Sequence, residues 1–283
     1  MKITLLGTGG PKPDIERYGP SVLLQIGSDY LLFDTGRGVV LQLARVGIMP
    51  ESLHSIFVTH HHFDHISNLD DVVMSGWNNE RKTGPAIFGP QGTGEIVETL
   101  LNKVYANDIE TRLAEGSKGV KSWEDIRQTV QVKDVEPGLV FQTNGWRVYA
   151  NYVEHMHGLG VSPKKWKCLG YRVEAKGKVI AISGDAVDCD GLQRLASGAD
   201  VLVLCCYLAR AEINDPESER LARYTLACAP QVGKIAFRAG VSKLVLTHFR
   251  KKSEALMRSI ESDVRQDYAG DIILGEDLLS IDV

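Results

Sequence analysis

Short apolar runs of strand length open the chain, at residues 3–6, 21–26, 30–33 and 55–59, with glycine or charged residues at the turns between them. Between the third and fourth runs the apolar positions change period. Val39, Val40, Leu43 and Val46 recur at helical spacing. Residues 69–77 and 95–105 read as further helices, the latter preceded by the turn GPQGTG. A second series of strands follows at 145–153, 169–174, 179–183, 201–204, 243–246 and 271–274, again with helical stretches interleaved. Two halves built alike, strands with helices between, predict an α/β architecture of two packed sheets with helices outside. The whole of 1–283 is expected to form one domain. The polar stretch 107–131 has only a thin apolar stripe and is expected to be a helical insertion over the surface, either a solvated cover or a lid on a substrate pocket.

Composition narrows the class without naming a function. With 43% apolar and 24% charged residues the chain is an ordinary globular one, which excludes a disordered or fibrous protein. Lys and Arg number 32 against 36 Asp and Glu, a formal charge of −4, so no global basic field draws it to nucleic acid or membrane. Nucleic acid is therefore not the expected partner, and any contact with it must come from a local patch. The 5 cysteines are odd in number and lack C-x-x-C spacing, which suits a reducing, cytoplasmic compartment. The opening MKITLLGTGG is too short for a signal-peptide core, and no apolar run approaches the roughly 18 residues of a membrane span. The reading is a soluble protein with no membrane partner.

The histidines carry the chemistry. Four of the 8 fall together in Thr59-His60-His61-His62-Phe63-Asp64-His65. In extended backbone alternate side chains share a face, so His60 and His62 form a two-nitrogen metal edge. Asp64 and His65 follow where the chain turns into a helix and can aim an oxygen and a nitrogen at a neighbouring point. One loop can thus feed two metal sites. His155 and His157, Asp185 in Ser183-Gly184-Asp185, and His248 in Thr247-His248 each sit just beyond a predicted strand, as His60 does. That placement gathers their loops on one edge of a sheet sandwich. Imidazole with carboxylate and no nearby thiol suits zinc, with iron or manganese as alternatives. His61 alternates to the opposite face and is expected to pack rather than ligate. His54 lies before its strand and is set aside.

The pattern His60-x-His62-x-Asp64-His65, followed by a lone histidine, a Gly-Asp and a Thr-His, resembles the metallo-β-lactamase superfamily over most of the chain. The segments LLGTGGPKPD, Arg17-x-Gly19-Pro20-Ser21 and LLFDTG, with His155 and Leu169-Gly170-Tyr171, are similar to its ribonuclease Z and arylsulfatase-like branch. The resemblance implies an αββα sandwich of two mixed sheets with a dinuclear metal centre, and homodimeric assembly. Carried over residue by residue, it implies His60, His62 and His155 on the first metal, Asp64, His65 and His248 on the second, and Asp185 bridging them. His155 is preferred over His157 because it follows its strand directly in Tyr-Val-Glu-His, which leaves His157 substrate-facing. Asp34 in LLFDTG resembles the family's buried aspartate that orients the histidine loop by hydrogen bonding.

Two divalent ions lower the pKa of a shared water, so the expected reaction is hydrolysis, with Asp64 as catalytic general base. Lys164 and Trp166 in SPKKWK, with His157 and Arg17, are the candidate substrate contacts; a solvated turn is the bland alternative for SPKKWK. The strand at 201–204 runs into Cys205-Cys206-Tyr207-Leu208, where the ribonuclease Z family has a histidine and a glutamate used with the reacting phosphate. No Gly-, Pro- and Lys-rich arm for gripping tRNA is found. The first expectation is accordingly a metal-dependent hydrolase of a small-molecule ester-type bond, such as a phosphodiester, sulfate ester or lactone. The alternatives are a ribonuclease Z-like endonuclease acting on tRNA 3′ ends and, in another class, a non-catalytic metal-binding module.

Overall fold

A computed structural model describes residues 1–79, 84–119 and 123–283. In β1 (Lys2–Gly7), β2 (Ser21–Ile26), β3 (Asp29–Phe33) and β4 (Leu53–Phe57) the side chains are buried almost without break. Such runs belong to sheets covered on both faces. The two-residue period decides which cover each residue meets: Leu31 and Phe33 point into the core between the sheets, Leu32 into the helices outside. β5 (Ala86–Gly89) and β6 (Gln131–Asp134) extend this sheet, and β3 to β6 run parallel. Their crossovers carry α1 (Val39–Arg45), α2 (Phe63–Ile66), α3 (Leu69–Asn78), α4 (Thr93–Thr99), α5 (Ala106–Ser117) and α6 (Ile126–Thr129).

The second half repeats the plan. β7 (Gly138–Gln142), β8 (Trp146–Val153), β9 (Cys168–Ala175) and β10 (Lys178–Ile182) form an antiparallel meander. From β10 the order continues in parallel through β11 (Val201–Cys205), β12 (Lys243–Thr247) and β13 (Asp271–Leu274). α7 (Asp190–Ala196), α8 (Pro216–Tyr224), α9 (Ala229–Ala239) and α10 (Glu254–Arg265) connect these strands. Local signals set the ends of several: Asp215 caps α8 by accepting from the backbone of Glu217 and Ser218, and Gly240 closes α9 at φ 66°. β14 (Ser280–Asp282) returns to pair with β1. Among the described residues the result is two mixed seven-stranded sheets, the αββα sandwich that was expected.

Between the sheets Phe33, Phe57 and Phe88 stack at centroid separations of 5.0 and 5.2 Å, with Tyr171 edge-on to Phe57. The central strands divide their residues between layers: Val201 and Val203 of β11 face this core, while Leu202 and Leu204 meet the helical side with Leu192, Val232 and Ile260. Fixing both sheets on one aromatic core holds their loop-bearing edges together.

The stretch 107–131 differs in part from expectation. α5 and α6 are helical, and Ile109 is wholly buried against the first sheet's helices. Gln131, however, begins β6 opposite Ala86 rather than ending a helix, because pairing with β5 outweighs its local pattern. Residues 120–122 of the expected insertion lie outside the described residues. β5, β7 and β14 are strands that the apolar pattern does not reveal: two are of three or four residues, and β7 is largely exposed. No helix among the described residues is long and apolar enough to cross a membrane.

Candidate metal centre

β9 is antiparallel to both β8 and β10, so β8, β10, β11 and β12 run the same way and end on one edge. The residues just past those ends are His155, Asp185, Tyr207 and His248. From the other sheet, β3 delivers Asp34 and β4 delivers Thr59 and the histidine loop. The chain turns sharply here. Asp34 and His248 have φ of 59° and 62°, a left-handed conformation that costs non-glycine residues on the order of 1–3 kcal/mol and persists only where surroundings enforce it. Gly184, at φ 60°, leaves the space that lets Thr59 approach, since a Cβ there would lie 2.7 Å from Thr59 Cβ.

Two groups of donor atoms result. His60, His62, His155 and Asp185 form one and Asp64, His65 and His248 the other, each with one donor atom per residue, all within 4.8 Å of one another. The Asp185 carboxylate lies between them. Its Oδ2 is 4.0 Å from His60 Nε2 and 3.9 Å from His155 Nε2, and its Oδ1 is 3.5 Å from His65 Nε2 and 3.2 Å from His248 Nε2. His62 Nδ1 stands 3.0 Å from His60 Nε2 and 3.1 Å from His155 Nε2. Asp64 Oδ2 is 3.5 Å from His248 Nε2.

Hydrogen bonds behind the rings set which nitrogen faces inward. His65 Nδ1 donates to Asp34 Oδ2 at 2.7 Å, and His155 Nδ1 donates to the Thr225 carbonyl at 2.5 Å. Asp34 also accepts from Thr59, at its backbone N (2.7 Å) and Oγ1 (2.8 Å), and Thr59 Oγ1 in turn lies 3.0 Å from His60 Nδ1. In each of these three imidazoles Nε2 is therefore the nitrogen turned to the centre.

Charge is arranged accordingly. Burial, with His65 and other imidazoles nearby, holds His60 well below its ordinary value. Burial lowers His155, and burial with His155 beside it brings His62 down to about 4. These rings are neutral and able to ligate at pH 7. Burial would raise Asp64 and Asp185, but the facing imidazoles outweigh it and hold both carboxyls below the usual range. His65 goes the other way, its burial overcome by Asp185 and Asp34. Asp64 Oδ2, Asp185 Oδ1 and His248 Nδ1 are shut away from solvent without a hydrogen-bond partner among the described residues. Carboxylate oxygens left so are costly, and cations at the two donor groups would satisfy them.

The other expected site residues fall in different places. His157 is outside both donor groups: its Nδ1 accepts from the His155 backbone at 3.2 Å and its Nε2 donates to the Trp166 carbonyl at 2.6 Å. That carbonyl clip brings Trp166 to a centroid separation of 4.6 Å from His62 and 5.9 Å from His60. Lys164 lies exposed on the same loop. Arg17 is engaged within the fold, its guanidinium bonded to Thr8 Oγ1 and the Gly275 carbonyl and lying over the Phe249 ring. His61 turns away to Thr93 Oγ1. Two participants were not foreseen. Tyr207, whose ring is 6.2 Å from that of His248, was read only as part of a departure from a motif. Thr225 acts through a carbonyl that any residue would supply, so no sequence signal marks it.

A Beta-lactamase superfamily domain model matches residues 29–249. A ribonuclease Z of Mycobacterium bovis is 32% identical over 294 aligned residues, covering 100% of this chain and 98% of that protein. The chain belongs to the metallo-β-lactamase superfamily, in its ribonuclease Z branch. Among solved structures, the metallo-β-lactamase fold protein YhfI of Bacillus subtilis aligns with TM-score 0.76 at 17% identity, covering 99% of this chain and 98% of that one. The short form of human tRNase Z aligns with TM-score 0.70 at 23% identity, covering 100% and 99%. As a metallo-β-lactamase superfamily member the chain is a hydrolase with a His/Asp cluster able to bind metal. The expectation of a small-molecule substrate, with nucleic acid set aside, is overturned by the end-to-end similarity to ribonuclease Z. It rested on the histidine and glutamate missing at Cys205-Cys206-Tyr207-Leu208, on the absence of a tRNA-gripping arm, and on net charge, which sums the whole surface and is silent about the surroundings of one cleft.

Proposed function

We propose that the chain is a ribonuclease Z-type endonuclease that hydrolyses an RNA phosphodiester at the 3′ side of precursor tRNA, using two divalent cations, with zinc the first choice and iron or manganese the alternatives. The observation that carries this reading is the match to ribonuclease Z along the full chain. The donor geometry supports the ligand set. His60, His62 and His155 would hold one cation, Asp64, His65 and His248 the other, and Asp185, with one oxygen toward each group, would be shared. An all N and O donor set suits these metals. When bound, such a pair acidifies water and offsets negative charge on the attacked phosphate.

The chain's own residues supply the rest. Asp34 holds His65, and through Thr59 also His60, in the ligating tautomer. Asp64, which would give one carboxylate oxygen to the cation, accepts a proton from the attacking water on the other. The water oxygen bonds to phosphorus, the scissile P–O bond breaks, and the departing RNA oxygen takes up the proton that Asp64 accepted, which returns Asp64 to its carboxylate form. Trp166 walls the histidine side and limits solvent there. The 5 free cysteines suit a reducing cytoplasm. The test is elemental analysis of the purified protein together with cleavage of a precursor tRNA transcript. About two metals per chain, and cleavage abolished by chelation and restored by zinc, are expected. A fully metallated protein that leaves the transcript intact would sink the substrate, and one that takes up no metal would sink the chemistry.

A further inference from the structure

Trp166 also borders a cleft of about 1050 Å³ that none of the seven donor residues lines. Its walls come from three separate segments: the end of β8 with Tyr152, the loop with Lys164 and Trp166, and α7 with Arg194. His157, which clips that loop to the His155 backbone, lines it as well. Its cations are not equivalent. Lys167 is committed to Glu136 at 2.5 Å and lies 5.6 Å from the Tyr152 ring centroid. Lys164 and Arg194 are exposed and form no ion pair among the described residues. Glu154 and Asp190 also line the cleft, so it is not a uniform basic patch but a mixed one with two uncommitted cations and two aromatic rings.

We propose that this cleft is the RNA track of the enzyme, holding single-stranded nucleotides next to the cleaved bond. The inference rests on the phosphodiesterase reading above and extends it to a location. Aromatic rings offer a stacking surface to any base, and uncommitted cations neutralise backbone phosphates, the combination that single-stranded nucleic acid requires. Trp166 links the two places: its ring packs on His62 at the donor groups and forms a wall of the cleft. A strand whose phosphate lies at the donor groups therefore has its next nucleotide at Trp166. The track also continues. Arg194 borders a second depression of about 510 Å³ that Tyr149 lines, so the surface extends beyond one nucleotide, as a polymer needs.

The test measures binding of a fluorescein-labelled 12-nucleotide single-stranded RNA between 50 and 200 mM KCl, for wild type and for Lys164→Ala/Arg194→Ala. Both side chains are on the surface, so the variant is expected to fold, and its metal content checks this. Removing two phosphate contacts should raise Kd about tenfold and flatten the slope of log K against log salt by about 1.4. A metallated variant with the wild-type Kd and slope overturns the track. A wild-type protein that cleaves an aryl phosphodiester but does not bind the 12-mer also overturns it, leaving the chemistry in place. If wild type cleaves neither RNA nor the aryl phosphodiester, the functional reading itself falls and the track with it.

Discussion

Asp34 Oδ2 lies 2.7 Å from His65 Nδ1 and accepts from Thr59 Oγ1 at 2.8 Å, so a single carboxylate oxygen braces both ends of the histidine loop. Asp34→Asn keeps the size and Oδ1, which the Thr59 backbone uses, but turns an NH2 toward two groups that need an acceptor. His65 must then rotate or change tautomer. Metal affinity, measured by competition with a chromogenic chelator, is expected to fall about 10–100-fold with little change in fold. Unchanged affinity would show that the ring is held by packing alone.

How much of this was readable in advance depends on how local each signal is. The loop from His60 to His65 was legible because its donors lie within six residues and strand geometry orients two of them. Asp185 and His248 were legible only as polar residues after apolar strands, and their convergence needs the parallel order of β10, β11 and β12, which periodicity does not encode. His155 was separated from His157 by a preference, whereas the structure separates them by hydrogen bonds: one turns Nε2 to the centre, the other spends both nitrogens on backbone. The ribonuclease Z reading was legible, but only as the alternative, because the histidine and glutamate missing after the strand at 201–204 and the negative net charge weighed against it; Lys164 and Arg194, distant along the chain, come beside one cleft only when α7 packs on β8.

With cations removed by a chelator, the buried imidazoles set the acid limit of the fold. Burial lowers His60, His62 (about 4) and His155 below the ordinary 6.5, so as pH falls below that value the unfolded chain takes up protons that the folded chain refuses. Stability then rises with pH across that window and is lost as pH falls. His65 has the opposite sign. Its raised value contributes stability that is full below about 6.5 and lost as pH rises through the folded pKa. Burial lowers His61 as well, so four imidazoles stand against one, and the urea midpoint of the chelated protein is expected to drop between pH 7 and pH 5. A midpoint that rises over this range would mean that His65 outweighs the other four.

His157 joins the His155 backbone to the Trp166 carbonyl, so its removal should be felt in the indole. His157→Ala leaves that carbonyl and the His155 N–H without their partner, a loss of about 1–3 kcal/mol if water does not replace it. Trp166 then no longer has a fixed place against His62. The expected result is a red-shifted tryptophan emission and a raised KM for RNA, with metal content intact. If the variant lost a metal instead, His157 would be acting on the ligand His155 rather than on the wall.

Asp64 is assigned two tasks, and two substitutions separate them. Asp64→Ala removes the only carboxylate of the donor group that also contains His65 and His248. One of the two cations should be lost along with turnover. Asp64→Asn retains an oxygen able to ligate but not a base, because an amide does not accept a proton near neutral pH. Its metal content should stay near that of wild type while kcat falls about 10²–10⁴-fold, the usual range for loss of a positioned base. A rate deficit in Asp64→Asn that extra zinc fully restores would assign the residue to metal binding alone, and the proton would then have to leave by way of Asp185, the other carboxylate with a buried unpartnered oxygen.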